Sequence, residues 1–150
     1  MNEDEKWMQI AINQALIANK KGEVPVGAII VKNDKVIAKA HNMPISNRDP
    51  SAHAEILAIR QAGKNEQNYR LPNTTLYVTL EPCTMCLGAI MHARINRIVF
   101  GASDLKSGVC GSVSNLTSET YFNHKVEVNG GVLKDDCKLI LQSFFQIRRK

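Results

Sequence analysis

The segment Thr75-Leu76-Tyr77-Val78-Thr79 leads, after two further residues, into Pro82-Cys83-Thr84-Met85-Cys86. Apolar and β-branched residues dominate the first run, and this composition favours a strand. Residues 83–93 predict a helix. The segment therefore predicts a strand that passes directly into a helix, which is the unit of α/β folds. It also places two cysteines on the first turn of that helix.

The flanking sequence predicts further strands and helices in alternation. An amphipathic helix precedes a β-hairpin with the turn Lys32-Asn33-Asp34, and a second helix stops at Gly63. Two more strands and a closing amphipathic helix follow the cysteine segment. The predicted helices are 5–20, 54–62 and 133–145, and the predicted strands are 26–31, 35–40, 97–101 and 125–128. This order predicts one α/β domain over residues 1–150, with a mixed, largely parallel sheet and helices on both faces.

The composition is that of a globular protein. Hydrophobic residues make up 44% of the chain and charged residues 22%, which excludes a disordered chain. The longest apolar run, residues 24–31, is far shorter than the ~20 residues that span a bilayer. The first six residues are acidic on balance and contain no apolar stretch, unlike a secretory signal. We therefore expect a cytoplasmic protein that does not contact membranes, with its four cysteines as metal ligands or free thiols.

The chain is basic. Its net charge is +5, and it ends in Arg148-Arg149-Lys150. Positive charge is compatible with a polyanionic partner, because each neutralised phosphate releases counterions. Many basic proteins bind no nucleic acid, so the charge alone leaves this question open.

A second motif, His53-Ala54-Glu55, lies at the start of a predicted helix. Zinc prefers imidazole and thiolate ligands, and catalytic zinc sites use three protein ligands and leave a fourth position open. Thiolates are favoured at a helix N-terminus, where Cys83 and Cys86 are predicted to lie. His53, Cys83 and Cys86 therefore form a candidate zinc-binding set.

Glu55 indicates that this site is catalytic. It follows the histidine too closely to bind the same metal easily, but it can lie beside the water in the open position. There it can accept a proton from the water and pass protons to a departing amine. H-x-E followed by P-C-x-x-C, with the glutamate outside the ligand set, is the signature of zinc-dependent nucleobase deaminases.

Other interpretations account for less of the sequence. An isolated Cys-x-x-Cys is compatible with a redox motif or with half of a zinc ribbon, but Cys110 and Cys137 do not form the second pair that a ribbon needs. These two cysteines are predicted to be buried thiols. A zinc-stabilised RNA-binding module without catalysis remains a rival, although its closed metal site would not need Glu55.

Segments along nearly the whole chain resemble the bacterial tRNA adenosine deaminases of the cytidine deaminase superfamily. They include Glu23-Val24-Pro25-Val26-Gly27-Ala28, Ala40-His41-Asn42 and Phe122-Asn123-His124, besides the two metal motifs. The resemblance implies a three-layer α/β/α fold with a five-stranded mixed sheet, one zinc ion per subunit and a homodimer. It also implies conversion of adenosine to inosine at the first anticodon position of a tRNA, with the anticodon stem-loop as partner.

The resemblance further implies roles for individual residues. His53, Cys83 and Cys86 would bind zinc, and Glu55 would shuttle protons. The residues implied to contact the substrate are Asn42, Val26, Ala54, Asp104, Lys106, Phe145 and Arg148. One departure is Ser51, where threonine is common in the family.

Two expectations concern assembly and substrate. Leu87, Ile90 and Met91, on the helix after Cys83, are predicted to offer an apolar face for the dimer. The alternative substrate is a free nucleobase or nucleoside of the guanine or cytosine type, deaminated on the same scaffold.

Overall fold

The computed structural model describes residues 1–148, so that Arg149 and Lys150 of the basic end lie outside the described residues. Five strands and four helices follow one another along the chain. They are α1 (Glu3–Lys20), β1 (Gly27–Lys32), β2 (Lys35–His41), α2 (Ala54–Glu66), β3 (Thr75–Leu80), α3 (Thr84–His92), β4 (Arg97–Ala102), β5 (Glu127–Asn129) and α4 (Lys134–Arg148). Over residues 1–148, no helix combines the length and the apolar character needed to cross a membrane.

The strands form one five-stranded mixed sheet in the order β2-β1-β3-β4-β5. β1 is antiparallel to both of its neighbours, whereas β3 pairs with β4, and β4 with β5, in parallel. β1 alone therefore runs against the other strands, which confirms the expected mixed sheet. The reversal follows from the tight hairpin, in which Asn33 and Asp34 adopt positive φ angles of 51° and 58°.

Helices cover both faces of the sheet. Successive strand residues point to opposite sides, so each strand contributes side chains to both faces. Ala28 and Ile30 of β1 pack in one core with residues of α2 and α3, including Ala58 and Leu87. Ile29 faces the other way, into a second core built on residues of α1 and α4 such as Met8 and Cys137. The predicted three-layer α/β/α architecture is therefore confirmed.

The prediction that α3 offers an apolar face for a dimer is wrong. Leu87, Ile90 and Met91 are at most 1% exposed. They pack in the chain's own core, on the same side of the sheet as α2. A one-sided apolar pattern on a helix does not reveal whether the side chains meet their own sheet or another subunit. The outward side of α3 instead carries Met85, which is 39% exposed.

α2 extends beyond the predicted stop at Gly63 and ends at Glu66. Gln67 provides the C-cap in the left-handed conformation, with φ at 53°. Its backbone N–H and that of Asn68 then satisfy helix carbonyls, Asn68 donating to the Gly63 carbonyl at 3.1 Å. Gly63 is thus part of the last turns, and a non-glycine residue supplies the cap.

Side chains of α2 also bind the outer edge of β2. Gln61 Oε1 accepts a hydrogen bond from the Lys39 N–H at 2.6 Å, and Asn65 Nδ2 donates to the Ile37 carbonyl at 2.8 Å. These bonds satisfy backbone groups that an edge strand would otherwise leave unpaired. They also hold α2, which carries Glu55 near its beginning, in a defined place against the sheet.

Candidate active site

Two helix beginnings bring the metal motifs together. His53 is the extended residue directly before α2, Cys83 is the extended residue directly before α3, and Cys86 lies in the first turn of α3. His53 Nδ1 is 3.7 Å from Cys83 Sγ and 3.5 Å from Cys86 Sγ. Two ligand atoms bound tetrahedrally to one zinc ion lie about 3.6 Å apart. The three side chains therefore fit one zinc ion per chain.

Among the three side chains, the protonation equilibrium of Cys83 favours metal binding. Hydrogen bonds from Cys86 and His53 lower the pKa of the Cys83 thiol to about 4. The shared hydrogen bond and burial raise the pKa of Cys86, and the hydrogen bond with Cys83 raises the pKa of His53. Because thiolate is the form of cysteine that binds metals, Cys83 is prepared as a ligand near neutral pH.

Glu55 lies next to this set but is not part of it. It is the second residue of α2 and its side chain is 4% exposed. Burial raises the pKa of its carboxyl group to about 7, and the negative charge of Cys83 acts in the same direction. A carboxyl group with a pKa near neutrality can both accept and release protons at neutral pH.

A cavity of about 290 Å³ opens beside the metal-binding set. Glu55, His53 and Cys83 line it together with the predicted contact residues Val26, Asn42 and Asp104. The other lining residues are Val24, Pro44, Leu80, Glu81 and Ser107. The structure therefore brings two of the predicted metal ligands, the predicted proton shuttle and three predicted contact residues to one cavity, with Cys86 buried behind them next to His53.

Asn42 is oriented by the backbone of α2. Its Oδ1 accepts a hydrogen bond from the Ala54 N–H at 2.8 Å, and its side chain is only 8% exposed. With Oδ1 held by this bond, the NH₂ group of Asn42 remains to donate to a ligand in the cavity. Ala54, predicted to be a pocket wall, is fully buried in the core and acts on the cavity through this N–H.

The remaining predicted contacts do not line this cavity. Lys106 is exposed in the loop that follows Asp104. Arg148 Nη2 donates to the Gly22 carbonyl at 3.0 Å, and its guanidinium group stacks over Phe144. Arg148 and Phe144 line an adjoining cavity, which shares Val24, Asn42 and Pro44 with the first.

Phe145 is not brought to either cavity. It is 43% exposed and lines a separate groove on α4 with residues such as Lys138 and Gln142. Its neighbour Phe144, which is 8% exposed, lines the adjoining cavity instead. Adjacent residues on a helix point about 100° apart, and the pair Phe144-Phe145 does not indicate which of the two faces inward.

Sequence reasoning missed two buried carboxylates beside the cavity. Glu23 is 1% exposed and accepts hydrogen bonds from the Ile45 and Ser46 N–H groups at 3.2 and 2.6 Å and from the Ser46 hydroxyl at 2.7 Å. Burial opposes ionisation, but these hydrogen bonds lower the pKa of Glu23. Glu81 is similarly buried. The only signal was an acidic residue bordering an apolar run, as at Glu23-Val24.

Comparison with known proteins identifies the family. A family profile of MafB19-like deaminases matches residues 2–149. The tRNA-specific adenosine deaminase of Haemophilus influenzae is 52% identical over 98% of this chain and 86% of its own length. The chain belongs to the tRNA-specific adenosine deaminase family.

Solved structures of similar proteins agree with this family. A structure from a study of A-to-I editing by tRNA A34 deaminases at the wobble position is 40% identical, with a TM-score of 0.88, covering 91% of this chain and 99% of that one. Guanine deaminase from Bacillus subtilis is 30% identical with a TM-score of 0.66, covering 100% and 96%. The tRNA-specific adenosine deaminase family thus shares its fold with deaminases of free bases.

Proposed function

We propose that this protein converts adenosine to inosine at the first anticodon position of a tRNA. One observation carries the chemistry: His53, Cys83 and Cys86 lie close enough together to hold one metal ion, and His53, Cys83 and the buried Glu55 line a single cavity. The similarity to tRNA-specific adenosine deaminases, such as the Haemophilus influenzae protein at 52% identity over 98% of this chain, supports the choice of adenosine in tRNA over other nucleobases.

His53, Cys83 and Cys86 would hold the zinc ion. When bound, zinc supplies Lewis-acid chemistry, which lowers the pKa of water toward ~7. Glu55 accepts a proton from the attacking water and delivers it to the purine ring nitrogen as oxygen adds to the neighbouring carbon. It then accepts the proton of the hydroxyl group formed there and delivers it to the amino group, which departs as ammonia while the hydroxyl becomes a carbonyl. The pKa of Glu55, raised by burial to about 7, suits both transfers.

The cavity walls would place the adenine base. The Asn42 NH₂ group donates to the flipped nucleotide, and Val26 provides an apolar wall. The base must leave its stack to enter, which costs less in an unpaired anticodon loop than in a duplex. Asp104 and the exposed Lys106 lie on the loop at the rim, where a nucleotide next to the flipped base would pass.

Charge and assembly belong to the same proposal. The net charge of +5 would favour binding of the phosphate backbone, to which Lys106 and Arg148 contribute. Phe145 would contact RNA only through the exposed surface of α4. We also propose that the protein is a single domain, forms a homodimer and acts in the cytoplasm.

The test compares substrates at equal concentration. One is an RNA stem-loop with adenosine at the first anticodon position, and the others are guanine, cytidine and free adenosine. We expect the stem-loop to be deaminated far faster, because remote binding energy holds the flipped base in the cavity. Its turnover should also decrease with rising salt, unlike that of an uncharged nucleobase.

The alternative is a guanine deaminase, which the 30% identity to the Bacillus subtilis enzyme favours over other small-molecule activities. Rapid deamination of guanine, with the stem-loop left unchanged, would establish this alternative and refute the tRNA proposal. A stem-loop with guanosine in place of the adenosine is the matched control for sequence-independent RNA binding.

A further inference from the structure

Glu81 is a buried carboxylate that the proposed chemistry does not use. It follows β3 directly, its side chain is 2% exposed, and it lines the same cavity as Glu55. Taking an unpaired charge out of water is strongly unfavourable, so a buried carboxylate requires hydrogen-bond donors. The identity of those donors indicates what Glu81 does.

All of these donors come from one loop, residues 104–112. Glu81 Oε1 accepts from the Asp104 N–H at 3.1 Å and from the Ser112 hydroxyl. Oε2 accepts from the Cys110 N–H at 2.9 Å and from the Ser112 N–H at 3.1 Å. An ionised carboxylate offers about four acceptor positions, so the four hydrogen bonds from this loop fill all of them.

The loop has little regular structure of its own to hold it in place. It lies between β4 and β5, and residues 104–109 contain no strand or helix. Its backbone wraps closely around the carboxylate: a Cβ added at Gly108 would lie 2.4 Å from Glu81 Cδ. Because no side chain fits there, glycine allows the loop to close on Glu81.

The same loop forms one wall of the cavity. Asp104 and Ser107 both line it. Asp104 Oδ1 accepts from the Lys106 and Ser107 N–H groups at 3.0 and 3.1 Å, which makes residues 104–107 a compact turn. Glu81 therefore connects the end of β3, two residues before the ligand Cys83, to the turn that borders the substrate.

We propose that Glu81 is a positioning residue: it holds the turn at residues 104–107 against the cavity and thereby sets how well the substrate is bound and oriented. The identity of that substrate as anticodon RNA rests on the proposed function. Glu81 neither transfers a proton nor binds the metal, so its loss should affect substrate binding more than metal content.

Glu81→Gln is the test, because it keeps the size of the side chain but turns one acceptor toward the loop into a donor. We expect kcat/KM for the stem-loop to fall roughly 10- to 100-fold, as for other misplaced binding groups, mainly through a higher KM. Zinc content should be unchanged. Hydrogen exchange of the Asp104, Cys110 and Ser112 amides should become faster, while that of β3 amides should not. Ser112→Ala, which removes only the hydroxyl donor, should produce a smaller change of the same kind.

Two results would overturn the proposal. One is a Glu81→Gln variant whose loop exchange or stem-loop kinetics match the unmodified protein. The other is loss of zinc with an equal loss of activity on every substrate, which would assign Glu81 to the metal site. If the unmodified protein leaves the stem-loop unchanged, the proposed function has failed. The role of Glu81 is then judged by loop exchange and by KM for whichever nucleobase the protein deaminates.

Discussion

The four cysteines lie in different electrostatic surroundings. Cys83 and Cys86 share hydrogen bonds with one another and with His53, whereas burial raises the pKa of both Cys110 and Cys137 to about 12. A buried neutral thiol behaves as a small apolar side chain. Chemically identical residues therefore divide into ligands and core residues according to their neighbours.

This division predicts different metal contents. Cys83→Ser and Cys86→Ser should lose most of the zinc, because hydroxyl is a poor replacement for thiolate. Cys110→Ser and Cys137→Ser should keep about one zinc ion per chain and serve as matched controls. Elemental analysis of the four purified variants measures this directly. Full zinc occupancy in both of the first two variants would contradict the ligand assignment.

Glu55 should be needed for turnover but not for folding. Glu55→Ala removes the proton shuttle, so we expect turnover to fall by at least the ~10²–10⁴-fold typical of general acid–base groups. Glu55→Gln keeps the shape of the side chain and should be similarly impaired. Zinc content and thermal unfolding of both variants check that the site is intact. Near-normal turnover of either variant would refute the mechanism.

At the scale of elements, one ion pair ties α1 to the middle of the sheet. Asp4, in the first turn of α1, accepts two hydrogen bonds from Arg97 of β4 at 2.9 and 2.8 Å. It also accepts a hydrogen bond from the Tyr77 hydroxyl of β3 at 2.8 Å. The bond from Arg97 is the main reason that the pKa of Asp4 is lowered. The side chains are about three-quarters buried, so this pair is less screened than a surface pair.

The lowered pKa of Asp4 predicts how stability depends on pH. The contribution of Asp4 should be fully present above the pKa of an unfolded aspartate, about 4, and should be lost as pH falls through the lower folded value. Asp4→Asn should therefore reduce the free energy of unfolding by about 1–3 kcal/mol at neutral pH. The difference from the unmodified protein should shrink in acid.

Urea unfolding at neutral and acidic pH measures this difference. Glu3→Gln, an exposed acid in the same first turn, is the control and should change stability little at either pH. An equal loss of stability for Asp4→Asn at both pH values would show that its hydrogen bonds, rather than its charge, provide the stabilisation.

At the scale of the whole molecule, the proposed homodimer requires an exposed surface that can form the interface. Leu87, Ile90 and Met91 are buried in the chain's own core, so the proposed homodimer needs another surface. Met85 is the exposed apolar residue on the outward side of α3, close to Cys86. A dimer formed there would connect two metal sites through short helices.

We expect sedimentation at micromolar concentration to give about twice the 16.7 kDa mass of one chain. Met85→Glu should shift the species toward a single chain, because a charge buried in an apolar interface is costly. Leu139→Glu, at a 61% exposed position on α4, is the control and should leave the mass unchanged. A single-chain mass for the unmodified protein would refute the dimer.

The sequence by itself determined the alternation of strands and helices, and it singled out the candidate metal-binding set and Glu55 that the structure brings together. These follow from local patterns: hydrophobic periodicity reports which side of an element is buried, and ligand chemistry restricts which residues bind zinc. His53 and Cys83 are thirty residues apart. Their partnership was nevertheless predictable, because each motif carries its own chemical signature.

Only the tertiary structure decided the positions of Glu23 and Glu81, the choice between Phe144 and Phe145, and the burial of the apolar side of α3. The donors to Glu81 lie 23 to 31 residues along the chain and are mostly backbone N–H groups, which every residue except proline carries. Backbone donors of this kind therefore cannot be recognised from residue types in the sequence. A buried charge is stable only where the fold places several hydrogen-bond donors around it. These donors come together only when distant segments of the chain have packed against one another.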